Sequence, residues 1–195
     1  MLLSGATAMI YEVGWSRTLA AVLDSSTYAF TLMLATFLLG IGLGSAIYKR
    51  CLANRAPTVA EWGWLQVVIV VFVLVGLPLF SKIDLMSARF YALTVGSVPL
   101  LNVMRLVLCS SIMLVPALCF GALFPISVAL YTPDYHKIGL GVGTLYLFGT
   151  GGNILGALAA GFILIPTVGI FHSLQAGVMI GTGVAIWALV AARRQ

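Results

Sequence analysis

The sequence predicts an all-α, polytopic membrane protein with six transmembrane helices, and three observations carry that prediction. First, 62% of the 195 residues are apolar and 8% are charged, with a mean hydropathy of +1.13. Soluble domains carry about 25% charged residues. Counting the 21 glycines, the apolar share here is roughly 73%, more than a water-soluble fold can hide. Second, runs long enough for the ~20 residues of a membrane-spanning helix recur six times. Third, most Lys and Arg fall between runs on one side of the chain's path. Together these exclude a soluble enzyme and a nucleic-acid-binding module. They leave lipid and other membrane subunits as partners, with a small-molecule substrate open.

The first run covers residues 2–23. It lacks the basic leader and small-residue cleavage site of a signal peptide and is expected to be a retained first helix. Asp24-Ser25-Ser26 then turns the chain into a second run, 27–48. The polar interval 49–61 separates it from a third, 62–80. The next interval holds Lys82, Asp84 and Arg89. Its part 88–98, aromatic beside an arginine, is expected to lie in the interface as an amphipathic helix. The fourth run, 100–131, exceeds what a bilayer needs. Tilt, or kinks at Pro116 and Pro125, would absorb the excess. The fifth covers 138–165 and the sixth 170–191. The connections are short, so residues 1–195 are expected to form one helical domain.

Orientation follows from the basic residues. With six spans, Lys49, Arg50, Arg55, Lys137, Arg193 and Arg194 share one side, against Lys82 and Arg89 on the other. The positive-inside rule puts both termini in the cytoplasm, with a bacterial inner membrane as the expected location.

Glycine is patterned. Gly149, Gly152, Gly156 and Ala160 share one helical face. Gly40/Gly44, Gly152/Gly156 and Gly177/Gly181 are GxxxG pairs. Such stripes let backbones approach closely in lipid, either inside the bundle or against a partner subunit. They form no nucleotide cradle, because GxGxxG does not occur.

Charge inside an apolar helix is costly and marks a functional candidate. Glu12 lies mid-way along the first run. Arg17, five residues on, is about 140° away around the helix and faces it poorly, so Arg17 is expected to reach for the headgroups. Arg105, on the fourth run, is the candidate partner of Glu12. Asn153 is expected to hydrogen-bond across helices. Cys109 and Cys119 read as small hydrophobes. No metal-ligand spacing, cofactor motif or catalytic constellation occurs, so no enzyme activity is expected.

Two stretches carry a resemblance. Residues 4–30 contain Tyr11, Glu12, Trp15 and Arg17, followed by Ser-Ser-Thr-Tyr-Ala-Phe at 25–30. Residues 121–169 contain Gly121-x-x-x-Pro125 and a glycine-rich helix ending in Pro166-x-x-Gly169. In these the chain resembles the membrane domain of the spermidine-synthase-like integral membrane proteins, the major-facilitator/spermidine-synthase fusions. The segment GIGLGSAIYKRCLANR also resembles the helix-two/three signature of major facilitators. The resemblance implies six helices equivalent to one half of that fold. The family's soluble Rossmann-like domain has no counterpart here, so aminopropyl transfer does not carry over. The expected function is a non-catalytic membrane subunit that packs against a larger complex or a soluble partner. The alternative is a half-size, major-facilitator-like transporter acting as a dimer.

Overall fold

A computed structural model describes residues 1–22, 27–52, 56–80, 98–132 and 138–194. They form α1 (Leu2–Val22), α2 (Thr27–Leu52), α3 (Val59–Phe80), α4 (Val98–Tyr131) and α5 (Ile138–Leu158). A π-helical turn (Ala159–Leu164) and α6 (Ile165–Ala192) complete the set, and no strand occurs among the described residues. The chain is all-helical. The expected interfacial helix at 88–98 lies outside the described residues, apart from Val98 at the start of α4.

The apolar runs marked the helices, with boundary shifts at several ends: α2 continues to Leu52 rather than 48, α5 gives way at Leu158 to the π-helical turn inside the expected run 138–165, α6 starts at Ile165 rather than 170, and α3 starts at Val59 rather than 62. The Thr58 amide donates to Glu61 Oε2 and the Glu61 amide donates to Thr58 Oγ1, both at 3.2 Å. This reciprocal capping box satisfies two amide groups that a helix start leaves unpaired. Pro116 and Pro125 do not break α4, which is one helix from Val98 to Tyr131.

Among the described residues, four stretches are long and apolar enough to cross a membrane: Phe30–Arg50, Val59–Pro78, Asn102–Tyr131 and Ile138–Ala192. The count differs from the expected six for two reasons. Helix α1 carries Glu12 and Arg17 and is not among the four, yet it is the most enclosed element: Tyr11, Trp15 and Leu19 are at most 1% exposed. The last stretch is 55 residues long, about 82 Å as straight helix, and it is not straight. Gly169, at φ 81° and ψ 170°, interrupts it. Residues with a side chain rarely adopt that φ, and Pro166 just upstream helps end the helix.

Neighbouring residues show that the chain reverses there. Leu2 and Ala6 of α1 lie against Gly152 and Gly156 of α5. Further along α1, Tyr11 and Gly14 lie against Gly177 and Leu174 of α6. Thus α1 runs parallel to α5 and antiparallel to α6. By the same reading α2 is parallel to α4, where Gly40 and Gly44 meet Leu114 and Leu118. Helix α3 is antiparallel to α6, with Gly63 on Leu189 and Val70 on Gly181. Met1 beside Ser127 and Tyr11 beside Phe120 make α1 antiparallel to α4. Successive helices therefore alternate in direction.

The contacts also repeat. The main helix pairs are α1·α5, α2·α4, α3·α6, α1·α6 and α3·α4. Exchanging α1–α2–α3 for α4–α5–α6 maps this set onto itself. The register repeats too, with a shift of 112 residues: Leu2 and Ala6 correspond to Leu114 and Leu118, and Gly40 and Gly44 to Gly152 and Gly156. Since α1 and α4 run in opposite directions, the two three-helix units are related by an inverted pseudo-twofold axis perpendicular to the helices.

Hydroxyls are satisfied locally. Thr18, Thr31, Thr36, Thr144, Ser173 and Thr182 each donate to a carbonyl four residues back. This is the economical arrangement where no water is at hand.

Candidate functional site

Where the two units face each other, α1, α2, α4 and α5 leave a cavity of about 280 Å³, open on one side. Helix α1 contributes Ser4, Gly5, Ala8 and Met9. Opposite stand Phe37 of α2, Phe120 and Phe124 of α4, and Tyr146, Thr150 and Asn153 of α5. Sequence reasoning missed the convergence of these four aromatic rings, because they come from three helices.

Two glycine contacts shape this wall. A methyl on Gly5 would stand 2.7 Å from Asn153 Oδ1, so the carboxamide lies flat on a part of α1 that has no side chain. The cross-helix hydrogen bond expected of Asn153 is absent among the described residues, because the surface it packs on is glycine rather than a donor. The hydroxyl of Thr150 makes no hydrogen bond there either.

Glu12 is half-buried. It stands one turn beyond Ala8 and Met9 on the same face of α1. It is not among the residues that line the cavity. Glu12 makes no hydrogen bond or ion pair among the described residues. The expected partnership with Arg105 fails for reasons of depth. Arg105 is buried on α4, about 22 Å along the helix before Phe120, the residue that meets Tyr11 at a ring distance of 6.4 Å. Arg17 is exposed. The neighbouring Tyr11 is fully enclosed, stacks on Trp15 at 5.7 Å, and its hydroxyl has no hydrogen-bond partner among the described residues.

Behind α1 lies a second polar group that the sequence did not reveal. Gln66 Nε2 donates to Ser4 Oγ at 2.7 Å and Trp62 Nε1 donates to Ser127 Oγ at 2.9 Å. Ser127 also donates to the Leu123 carbonyl at 2.7 Å. All four side chains are at most 8% exposed. These bonds tie α1, α3 and α4 together at the end where α1 begins. At the symmetry-related positions stand Pro116 with Val178 and Trp15 with Leu174, which form no such bonds.

The glycine pairs divide by surroundings. Gly40, Gly44, Gly152 and Gly156 lie directly on a neighbouring helix. Gly177 faces Ile10 and Tyr11, and Gly181 faces Val70 and Tyr11. Gly149 has open space where its side chain would be, although its carbonyl lies against Gly5. Cys109 and Cys119 are free and buried. His172 is exposed, with Nδ1 3.0 Å from the Val168 carbonyl.

Comparison of the chain with family models, with curated proteins and with solved structures finds no match in any of the three.

Proposed function

We propose that this chain is a six-span membrane unit of half-transporter type, working as a dimer whose second copy faces the groove. One observation carries the reading. The groove lies between the inverted three-helix units, and Thr150 and Asn153 present polar groups there that the described residues leave unpartnered. Inverted repeats with a polar site at their interface, near mid-membrane, are the architecture of many secondary transporters. The alternating helix directions favour six crossings, with α1 and the two arms around Gly169 each counted. The basic residues favour both termini on the cytoplasmic side of a bacterial inner membrane. The motifs around Glu12, Gly121–Pro125 and Pro166–Gly169 favour kinship with the membrane domain of the major-facilitator/spermidine-synthase fusions. No catalytic role is proposed.

A second reading, a non-catalytic subunit packed into a larger membrane complex, is favoured by different residues. Gly139 and Gly143 of α5 are exposed, one turn apart, and a methyl on either would meet nothing within 4 Å. Such a small-residue face suits a foreign helix.

Native mass spectrometry after extraction in mild detergent separates the two. A homodimer supports the transporter reading. A stoichiometric complex with other chains supports the subunit reading and overturns the first. A lone monomer overturns both.

A further inference from the structure

We propose that the cavity between α1, α2, α4 and α5 binds an uncharged aromatic molecule of one or two rings, laid on Phe37, Phe120 and Phe124 with a carbonyl or hydroxyl edge turned to Thr150 and Asn153. The inference deepens the transporter reading and rests on it for the second copy that would close the open side.

The two walls of the cavity differ in chemistry. On α5, Tyr146, Thr150 and Asn153 are spaced i, i+4 and i+7, so they share one helical face, and all three line the cavity. Opposite them, α2 brings Phe37 and α4 brings Phe120 and Phe124. The scaffold does not require the polar wall. Shifting Tyr146, Thr150 and Asn153 back by 112 residues gives Leu34, Leu38 and Ile41 of α2. Equivalent places thus carry apolar side chains in one three-helix unit and polar ones in the other. The Thr150 hydroxyl and the Asn153 carboxamide make no hydrogen bond among the described residues. Asn153 lies 15 residues past the start of α5, about 22 Å along it, where lipid offers no water to take the place of a partner. Polar groups at that depth are costly unless something pairs with them.

The lining also sets the occupant's charge, size and shape. No charged side chain lines the cavity, so an ionised ligand would bring a charge that nothing there neutralises. The volume, about 280 Å³, is nearly twice the ~150 Å³ void that takes up one benzene molecule. Phenylalanine rings favour another ring, stacked offset or edge-on, over an aliphatic body of equal area. A carboxamide and a hydroxyl each donate and accept, so they suit a carbonyl or hydroxyl edge and not a second apolar face.

The test uses the purified chain in phosphatidylglycerol nanodiscs, with empty nanodiscs as the blank for partition into lipid. The probe is radiolabelled 2-naphthamide, followed by equilibrium dialysis. Three analogues keep its outline and change one property each. 2-Isopropenylnaphthalene lacks the polar edge, 2-naphthoate is charged, and decahydronaphthalene-2-carboxamide is not aromatic. Saturable binding of 2-naphthamide is expected, with each analogue weaker by about 3-fold or more. Thr150→Val and Asn153→Leu should each weaken it by about 3- to 10-fold, and Phe124→Leu by a similar factor. All variants are checked for native elution and helix content. Phe120→Leu replaces Phe124→Leu should that variant misfold, and Thr150→Val, which keeps the side chain's shape, stands for the polar wall should Asn153→Leu misfold. No saturable binding, equal binding of any analogue, or unchanged affinity in a folded Thr150→Val or Asn153→Leu would each overturn the proposal. Oligomeric mass is measured on the same samples. A homodimer that binds no probe, and that dissociates in Thr150→Val, assigns the polar wall to the second copy; it sinks this inference and leaves the transporter reading standing. Probe binding by a lone monomer does the reverse.

Discussion

Gly40 and Gly42 stand two residues apart on α2 and separate a packing effect from a propensity effect. A methyl on Gly40 would lie 2.5 Å from the Ala117 Cβ on α4, whereas a methyl on Gly42 would meet nothing within 4 Å. Carbon atoms sit at about 3.5–4.0 Å in contact, so Gly40→Ala forces α2 and α4 apart by about 1 Å. A gap of that size forfeits a quarter to a half of each dispersion well along the seam. Overpacking of this kind costs about 1–3 kcal/mol. Gly42→Ala has the same change in backbone entropy and no collision, and should match the parent or exceed it by up to about 1 kcal/mol. Equilibrium unfolding in mixed detergent micelles, followed by circular dichroism, measures both. The expected difference is a factor of about 5 to 150 in the folding constant. Equal stabilities would refute the claim that α2 and α4 touch backbone-close at Gly40. The pseudo-twofold extends the test, because Gly152 should behave as Gly40 does.

Two further perturbations probe other parts of the fold. Gln66→Leu removes the donor to Ser4, and Trp62→Phe the donor to Ser127. Hydrogen bonds between membrane helices average about 0.6 kcal/mol and reach about 1.7, so each variant should lose stability in that range in the same assay, and a loss above 3 kcal/mol would require more than a hydrogen bond. Gly169→Ala places a side chain at φ 81° and ψ 170°, a conformation essentially confined to glycine and costing about 1–3 kcal/mol for a residue with a Cβ. That substitution should lower the thermal midpoint in detergent, and an unchanged midpoint would show that the reversal does not need the positive-φ backbone.

Much of the helical layout was legible because lipid imposes it: a run of apolar residues of sufficient length has few options but a helix. The turn at Gly169 was legible for a similar reason, as proline followed by glycine is the chemistry of helix ending. The capping box at Thr58 and Glu61 was legible in principle, being a four-residue pattern, but Glu61 reads as an ordinary loop carboxylate when taken alone. The hydrogen bonds among Ser4, Trp62, Gln66 and Ser127 were not legible, since their members lie up to 123 residues apart and each is unremarkable in its own helix. The repeat is hidden for a different reason. Gly40/Gly152 and Gly44/Gly156 keep their identity, but Glu12 corresponds to Phe124 and Ser127 to Trp15. Backbone geometry is retained only where glycine is required for close approach. Asn153 misled because an amide in lipid suggests a donor opposite, and what lies opposite is Gly5.

The hydrogen bonds behind α1 have no counterpart at the related end of the bundle. A perfectly repeated molecule would have two equivalent arrangements, exchanged by the twofold and equal in energy. This molecule does not: a rearrangement that opened this end would break the Gln66–Ser4 and Trp62–Ser127 bonds, while the opposite one would meet no such bond at the related positions, Pro116 with Val178 and Trp15 with Leu174. Two bonds of about 0.6 kcal/mol each bias the equilibrium by nearly a factor of ten. In a bundle that exchanged between the two forms, unequal chemistry on an equal scaffold would thus set a preferred resting form, fixed by four side chains and adjustable one at a time.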